Sequence, residues 1–255
     1  MISGKIIFRD VRFQVSLVLL LIWFLNLFFR PNFNMILYPL LGAFLFSVLD
    51  VIYTFIRTKR VYLPFSAFLS GLIISLILDD TQGLFHLYSA VFAAFFSKHF
   101  IRIKGNHIFN PAAFGLFVSS VLFQSSISWW SVITVNIYAL PLIFLLPVLN
   151  RLRRLHIPLI FLGGIFIYLI LTTGLQPAFL LMSDGSLLFF AFVMLTEPMT
   201  TKIFRFWKYG SPLMMLAVYI IFMTLRIFGP DLFLSTLLLV NLLSSVTSLS
   251  SQQNR

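Results

Sequence analysis

The sequence predicts an all-α integral membrane protein of about ten transmembrane helices. They form two inverted five-helix repeats, with both termini inside. Three observations carry that expectation. Apolar residues make up 60% of the chain and charged residues 10%, with a mean hydropathy of +1.02. A soluble domain of 255 residues does not need so much apolar surface, so the bilayer is the natural solvent. The apolar residues fall in runs bounded by charges, Pro and Gly, and the basic residues alternate between the loops that join those runs.

In order, the runs cover 14–31, 35–56, 64–78, 84–97, 109–123, 129–149, 157–175, 185–197, 211–228 and 232–247. Val15 to Phe29 has the look of a signal peptide, but no small-residue cleavage site follows, so it reads as a retained helix. The third run is short: from Phe65 to Leu78 a helix reaches only ~21 Å, against a hydrocarbon core of ~30 Å. The fifth opens on Asn110-Pro111, a good N-cap followed by a proline at the first helical position. The eighth reaches only ~18 Å from Gly185 to Thr196 before Pro198 stops it. Residues 1–247 therefore read as a single membrane domain and 248–255 as a polar tail.

The charges test that order. With the N-terminus inside, the inside loops hold Lys5, Arg9, Arg12, Arg57, Lys59, Arg60, Lys98, Arg102, Lys104, Arg151, Arg153, Arg154, Lys202, Arg205, Lys208 and Arg255. Only Arg30 and Arg226 fall outside, together with Asp79, Asp80, Asp184 and Asp231. Dropping any one odd segment destroys this asymmetry. Five runs followed by five makes the second half enter from the opposite side, which is the pattern of inverted repeats. The third and eighth runs occupy corresponding places, and paired short helices point to a site at the repeat interface. A re-entrant hairpin for runs three and four also agrees with the charges. The location is expected to be the inner (cytoplasmic) membrane, crossed many times.

Composition also excludes chemistry. The chain has no cysteine, which removes disulfides, thiolate nucleophiles, iron–sulfur clusters and Cys-type zinc sites. The net charge of +11 sits in small clusters between apolar runs rather than along one face, which argues against nucleic acid. No catalytic set and no metal-ligand pattern stands out.

Two polar motifs carry the functional expectation, because a carboxamide or carboxylate beside a Pro break at membrane depth is costly. One is Phe109-Asn110-Pro111-Ala112-Ala113, preceded by Asn106 and a basic loop; the other is Leu195-Thr196-Glu197-Pro198-Met199-Thr200-Thr201. The first supplies a helix N-terminus, either as a simple cap or as a cap that also receives an anion. Glu197 either pairs with Lys202 or Arg205 or accepts from a ligand or cation, with hydroxyls from Thr196, Thr200 and Thr201 alongside. Asp50, inside the second run, either pairs near Arg57 or belongs with Glu197 to an ion pathway. Trp129 and Trp130 read as an interfacial aromatic belt.

In this order the motifs resemble the RnfD/NqrB family, membrane subunits of ion-translocating flavin electron-transport complexes. The likeness rests on Asn106–Gly115 (NHIFNPAAFG), Leu155–Leu159 (LHIPL), Phe192–Thr201 (FVMLTEPMTT) and Leu225–Gly229 (LRIFG) with Asn241 following, and on the place of Asp50. The resemblance implies a flavin site (FMN or riboflavin) at Asn106, Phe109, Asn110, Thr196, Glu197, Thr200 and Thr201. It also implies partner subunits and electron transfer that can be coupled to a cation. The family's covalent FMN attachment in a long insertion has no counterpart, since the loop here is only Gln124–Trp130 (QSSISWW). Flavin is therefore expected to be noncovalent. The family's fold is like that of urea-type channels, so a small-solute or flavin transporter is the alternative expectation.

Overall fold

The computed structural model describes residues 10–103, 105–133, 136–196, 209–227 and 229–253. Its architecture is all-α with one two-stranded hairpin. Helix α1 (Val11–Phe29) starts under Asp10, whose carboxylate accepts from the Arg12 N–H at 2.8 Å. Helix α2 (Phe33–Thr58) starts under Asn32 and stops where Lys59 turns left-handed. Helices α3 (Phe65–Ile77) and α4 (Leu84–Phe100) follow, then the hairpin of β1 (Arg102–Ile103) and β2 (Asn106–His107), and α5 (Pro111–Phe123). The second half contains α6 (Trp130–Ile133), a 3₁₀ segment (Asn136–Phe144), α7 (Leu145–Arg151) and α8 (His156–Thr173). Then come α9 (Leu175–Met182), α10 (Gly185–Phe189) with a π-helical turn (Phe190–Met194), α11 (Gly210–Thr224) and α12 (Leu232–Gln253).

Each of the ten apolar runs is helical over most of its described length. Among the described residues three helices, α1, α2 and α8, are long and apolar enough to cross a bilayer. Helix α9 and the α10–π segment, bent by 59°, count as a fourth if they form one span. Other apolar helices are shorter, or apolar over only part of their length as α12 is over Leu232–Val246; α3 has 13 residues and covers about 20 Å. Large apolar side chains such as Phe28, Phe33, Phe44 and Leu171 stand exposed around the outside, as lipid contact requires.

Three local expectations are corrected, and the basic loop, whose conformation the sequence leaves open, takes a definite form. Residues 175–182, read as the end of a run and a loop, form a separate helix, because Gly174 at φ +92° breaks the chain without a charged residue to announce it. Run 129–149 is not one helix, and Pro141 lies within the 3₁₀ segment, where it has no N–H to give. The basic loop at 102–107 is a hairpin turning on Gly105 at φ +82°. Trp129 and Trp130 are buried rather than interfacial. Their indole N–H groups donate inward, to Asp231 at 2.8 Å and to the Ser75 carbonyl at 2.9 Å.

Contacts gather the loops into two groups. At one end Arg151 donates to Gln14 at 2.7 Å, Arg154 to the Thr196 carbonyl, and Lys98 and Tyr62 to Asp50. At the other, Asn34 donates to the Asp80 carbonyl, Asp79 N–H to the Ser126 carbonyl, and Trp129 to Asp231. We call these the basic end and the acidic end. The acidic end also closes α3: both Ser128 N–H and Trp129 N–H donate to the Ile77 carbonyl at 3.0 Å.

Helix approach depends on glycine at a few points. A Cβ on Gly71 would lie 2.4 Å from the Gly42 carbonyl oxygen, so α2 and α3 touch backbone to backbone. Gly163 on α8 has nothing within 4 Å of a built Cβ. Gly71→Val should therefore cost about 1–3 kcal/mol and lower the melting midpoint in detergent. Gly163→Ala should be neutral or gain about 0.5–1 kcal/mol. Equal effects of the two substitutions would contradict this packing.

Candidate functional site

The first polar motif forms as a helix start. Asn110 is almost fully buried, and its side-chain oxygen accepts from the Ala113 N–H at 3.0 Å, with Pro111 at the first helical position. The second motif ends a helix in an unexpected way. After Phe189 the chain widens into a π turn, closed by the Leu195 N–H on the Phe190 carbonyl at 2.9 Å. Such turns are rare and occur often at functional sites. The Thr196 hydroxyl donates to the Phe192 carbonyl at 2.7 Å, and its own carbonyl accepts from Arg154 at 3.0 Å.

These two places meet. Asn110, Thr196 and Val193 line one cavity together with Arg12 of α1 and Ser66 and Ser70 of α3. Thus the start of α5, the π turn and the short α3 converge at the basic end. Asn106 does not join them: it is exposed on β2. Phe109 does not either, because its ring stacks on Phe114 of α5 with centroids 5.2 Å apart. Glu197, Thr200 and Thr201 lie outside the described residues.

The surroundings are electropositive. His107 is 7% exposed, and its Nε2 has no partner among the described residues. Burial holds it down to about 4, helped by the charges of Lys98, Arg102 and Arg12. Asp50 lies at the same end but makes its own closed arrangement. It is fully buried and accepts from His99 Nε2 at 2.7 Å, from Lys98 Nζ at 2.9 Å and from the Tyr62 hydroxyl. Burial, together with Asp50, pushes the Tyr62 phenol up to about 12. Arg57, the neighbour expected from sequence, is exposed. Sequence spacing does not reveal these partners, because Lys98 and His99 come from a helix 48 and 49 residues away.

As bounded by the described residues, this cavity does not hold a flavin. Its volume is about 40 Å³, room for about three waters, whereas small-molecule pockets run to ~300–1,000 Å³. The cavity suits water, an ion or a very small solute. No protein-family model matches the chain, and no curated protein matches it.

Two predictions follow from this geometry. His107 titrates near 6.5 when unfolded but about 4 when folded, so the unfolded state binds more protons in between. Stability should be flat above pH 7, fall as pH drops through that window, and level off below it, with a total loss of at most about 3 kcal/mol. Thermal melts across pH would detect this, and His107→Gln should remove its share of the slope. Asp50→Ala should destabilise by about 3–5 kcal/mol, because it removes the fully buried carboxylate that Lys98, His99 and Tyr62 all bond. An Asp50→Ala protein that melts with the parent would refute the pairing.

Proposed function

We propose that this chain is a membrane subunit of an electron-transport complex of the RnfD/NqrB type, working in the inner membrane with partner subunits. One observation carries the reading: Asn110 and Thr196, from the two motifs of the resemblance, share one buried cavity with the short α3. Ten crossings in two inverted halves belong to the same proposal. The pairing of helices supports them. Helix α1 packs on α3 as the 3₁₀ segment packs on α10, and α2 on α4 as α8 on α11. Helix α4 packs on α5 as α11 does on α12, while α1 meets the 3₁₀ segment and α5 meets α12 across the halves. That is the contact pattern two inverted repeats would share.

Flavin enters the proposal on the resemblance alone, as a noncovalent FMN or riboflavin, and no step is derived through it. Asn110 and Thr196 instead act as fixed dipoles at two helix ends, beside Arg12 and Arg154. In this proposal Asp50 and Glu197 belong to a cation pathway. The water-sized cavity favours a second reading, a small-solute path through a urea-channel-like fold.

An absorbance spectrum of the detergent-purified protein, before and after dithionite, separates the two. The electron-transport reading expects a reducible yellow pigment that is released on denaturation. Protein that stays colourless after incubation with FMN and riboflavin, yet passes small solutes in liposomes, overturns it in favour of the path.

A further inference from the structure

The end of α2 carries charges that nothing in the site above uses. Arg57, Lys59 and Arg60 are all exposed, and none forms an ion pair among the described residues. Other basic residues at the same end reach an acceptor inside the protein. Lys98 meets Asp50, Arg102 the Gly105 carbonyl, Arg151 Gln14 and Arg154 the Thr196 carbonyl. The acid nearest the cluster in sequence, Asp50, is fully buried and already holds Lys98, His99 and Tyr62.

Below this cluster the same helix presents a hollow. Phe44, Ser47, Val48, Val51 and Ile52, with Pro64 from the returning chain, line an apolar groove of about 330 Å³. Phe44 and Ile52 stand 66% and 52% exposed on its rim. Residues 44, 48, 51, 55 and 59 lie on successive turns, so the groove and Lys59 share one side of α2. The side chains agree, because Lys59 Nζ sits over the Phe55 ring, 5.7 Å from its centroid. Length decides what fits. From Phe44 to Lys59 the helix rises ~22 Å, and one leaflet with its headgroups is half of ~40–45 Å.

The two features together select the occupant. Inorganic phosphate would answer the charges and leave the groove empty, and a neutral lipid would do the reverse. A partner helix packs best on small residues. The glycine of α2, Gly42, is turned inward against Gly71 and Ser75, and the groove rim is bulky. We propose that this side of α2 is a binding site for one anionic phospholipid, its phosphate at Lys59 and Arg60 and an acyl chain along Ile52, Val48 and Phe44. The site uses neither flavin nor a partner subunit.

The test titrates the purified, delipidated full chain in detergent with phosphatidylglycerol, with phosphatidylcholine of the same acyl chains and with inorganic phosphate, read by native mass spectrometry. Phosphatidylglycerol should saturate at one tightly held molecule and bind about tenfold or more tighter than phosphatidylcholine, since each basic residue beside anionic lipid contributes about fivefold. Lys59→Gln with Arg60→Gln should remove that preference. Val48→Trp, which fills the groove and leaves every charge, should weaken phosphatidylglycerol by a similar factor; Ile52→Trp, on the exposed rim, repeats this should Val48→Trp not fold. Arg153→Gln, an exposed charge at the same end outside the groove lining, should change nothing. Equal binding of the two lipids overturns the site, as does full competition by inorganic phosphate or a groove-filling variant that binds like the parent. A colourless protein that still selects phosphatidylglycerol counts against the electron-transport reading and leaves this site standing.

Discussion

A helix that stops short of the far side of a bilayer leaves backbone carbonyls where there is no water to take them. In the proposed membrane arrangement two helices face that constraint, α3 with 13 residues and the α10–π segment, and much of the remaining structure answers it. The end of α3 is closed by the 125–130 loop, whose Ser128 and Trp129 N–H groups both reach the Ile77 carbonyl. The end of the π turn is closed by Arg154, reaching the Thr196 carbonyl from a loop 42 residues earlier. The two solutions differ in kind, one made of backbone donors and one of a charged side chain. They place a negative turn at one end of the molecule and a positive cavity at the other.

Trp129 shows how tightly the acidic end is tied. Its backbone sits at φ 50°, unusual for so bulky a residue, yet it is held from three sides. The N–H meets the end of α3, the indole N–H meets Asp231 at the start of α12, and the ring packs edge-on against Phe189 and Phe233. The second half is then filled by rings: Phe190 stacks on Phe233, Phe233 on Tyr219, and Phe161 leans on both Phe190 and Tyr219. Polar closure and aromatic packing thus meet around one residue.

Much of this was legible in the sequence, and the limits have physical causes. The ten apolar runs could be read because charge, Pro and Gly interrupt them, and the Asn110 cap because Asn before Pro at a helix start has a local mechanism. The π turn could not be read: Phe-Ala-Phe-Val-Met is apolar on every face, so a change from 3.6 to a wider turn leaves no periodic trace. The same uniformity hid the break before α9. The partners of Asp50 were hidden for another reason, since they are set by how α2 and α4 lie together rather than by local spacing. The convergence of Asn110 and Thr196 agrees with the two motifs sharing a site as the resemblance implies, whereas Asn106 and Phe109, close by in sequence, face elsewhere.

The central claim is that the basic and acidic ends lie on opposite faces of the membrane, with the short helices crossing between them. The chain has no cysteine, so single cysteines can be placed without background. Labelling with a membrane-impermeant maleimide in sealed, right-side-out vesicles tests the claim most directly. Thr81→Cys and Ser126→Cys should react at once, and Arg60→Cys, Arg102→Cys and Arg153→Cys only after permeabilisation. Thr81→Cys and Arg102→Cys labelled from the same face would mean that α4 does not cross, and the two-ended account would fail.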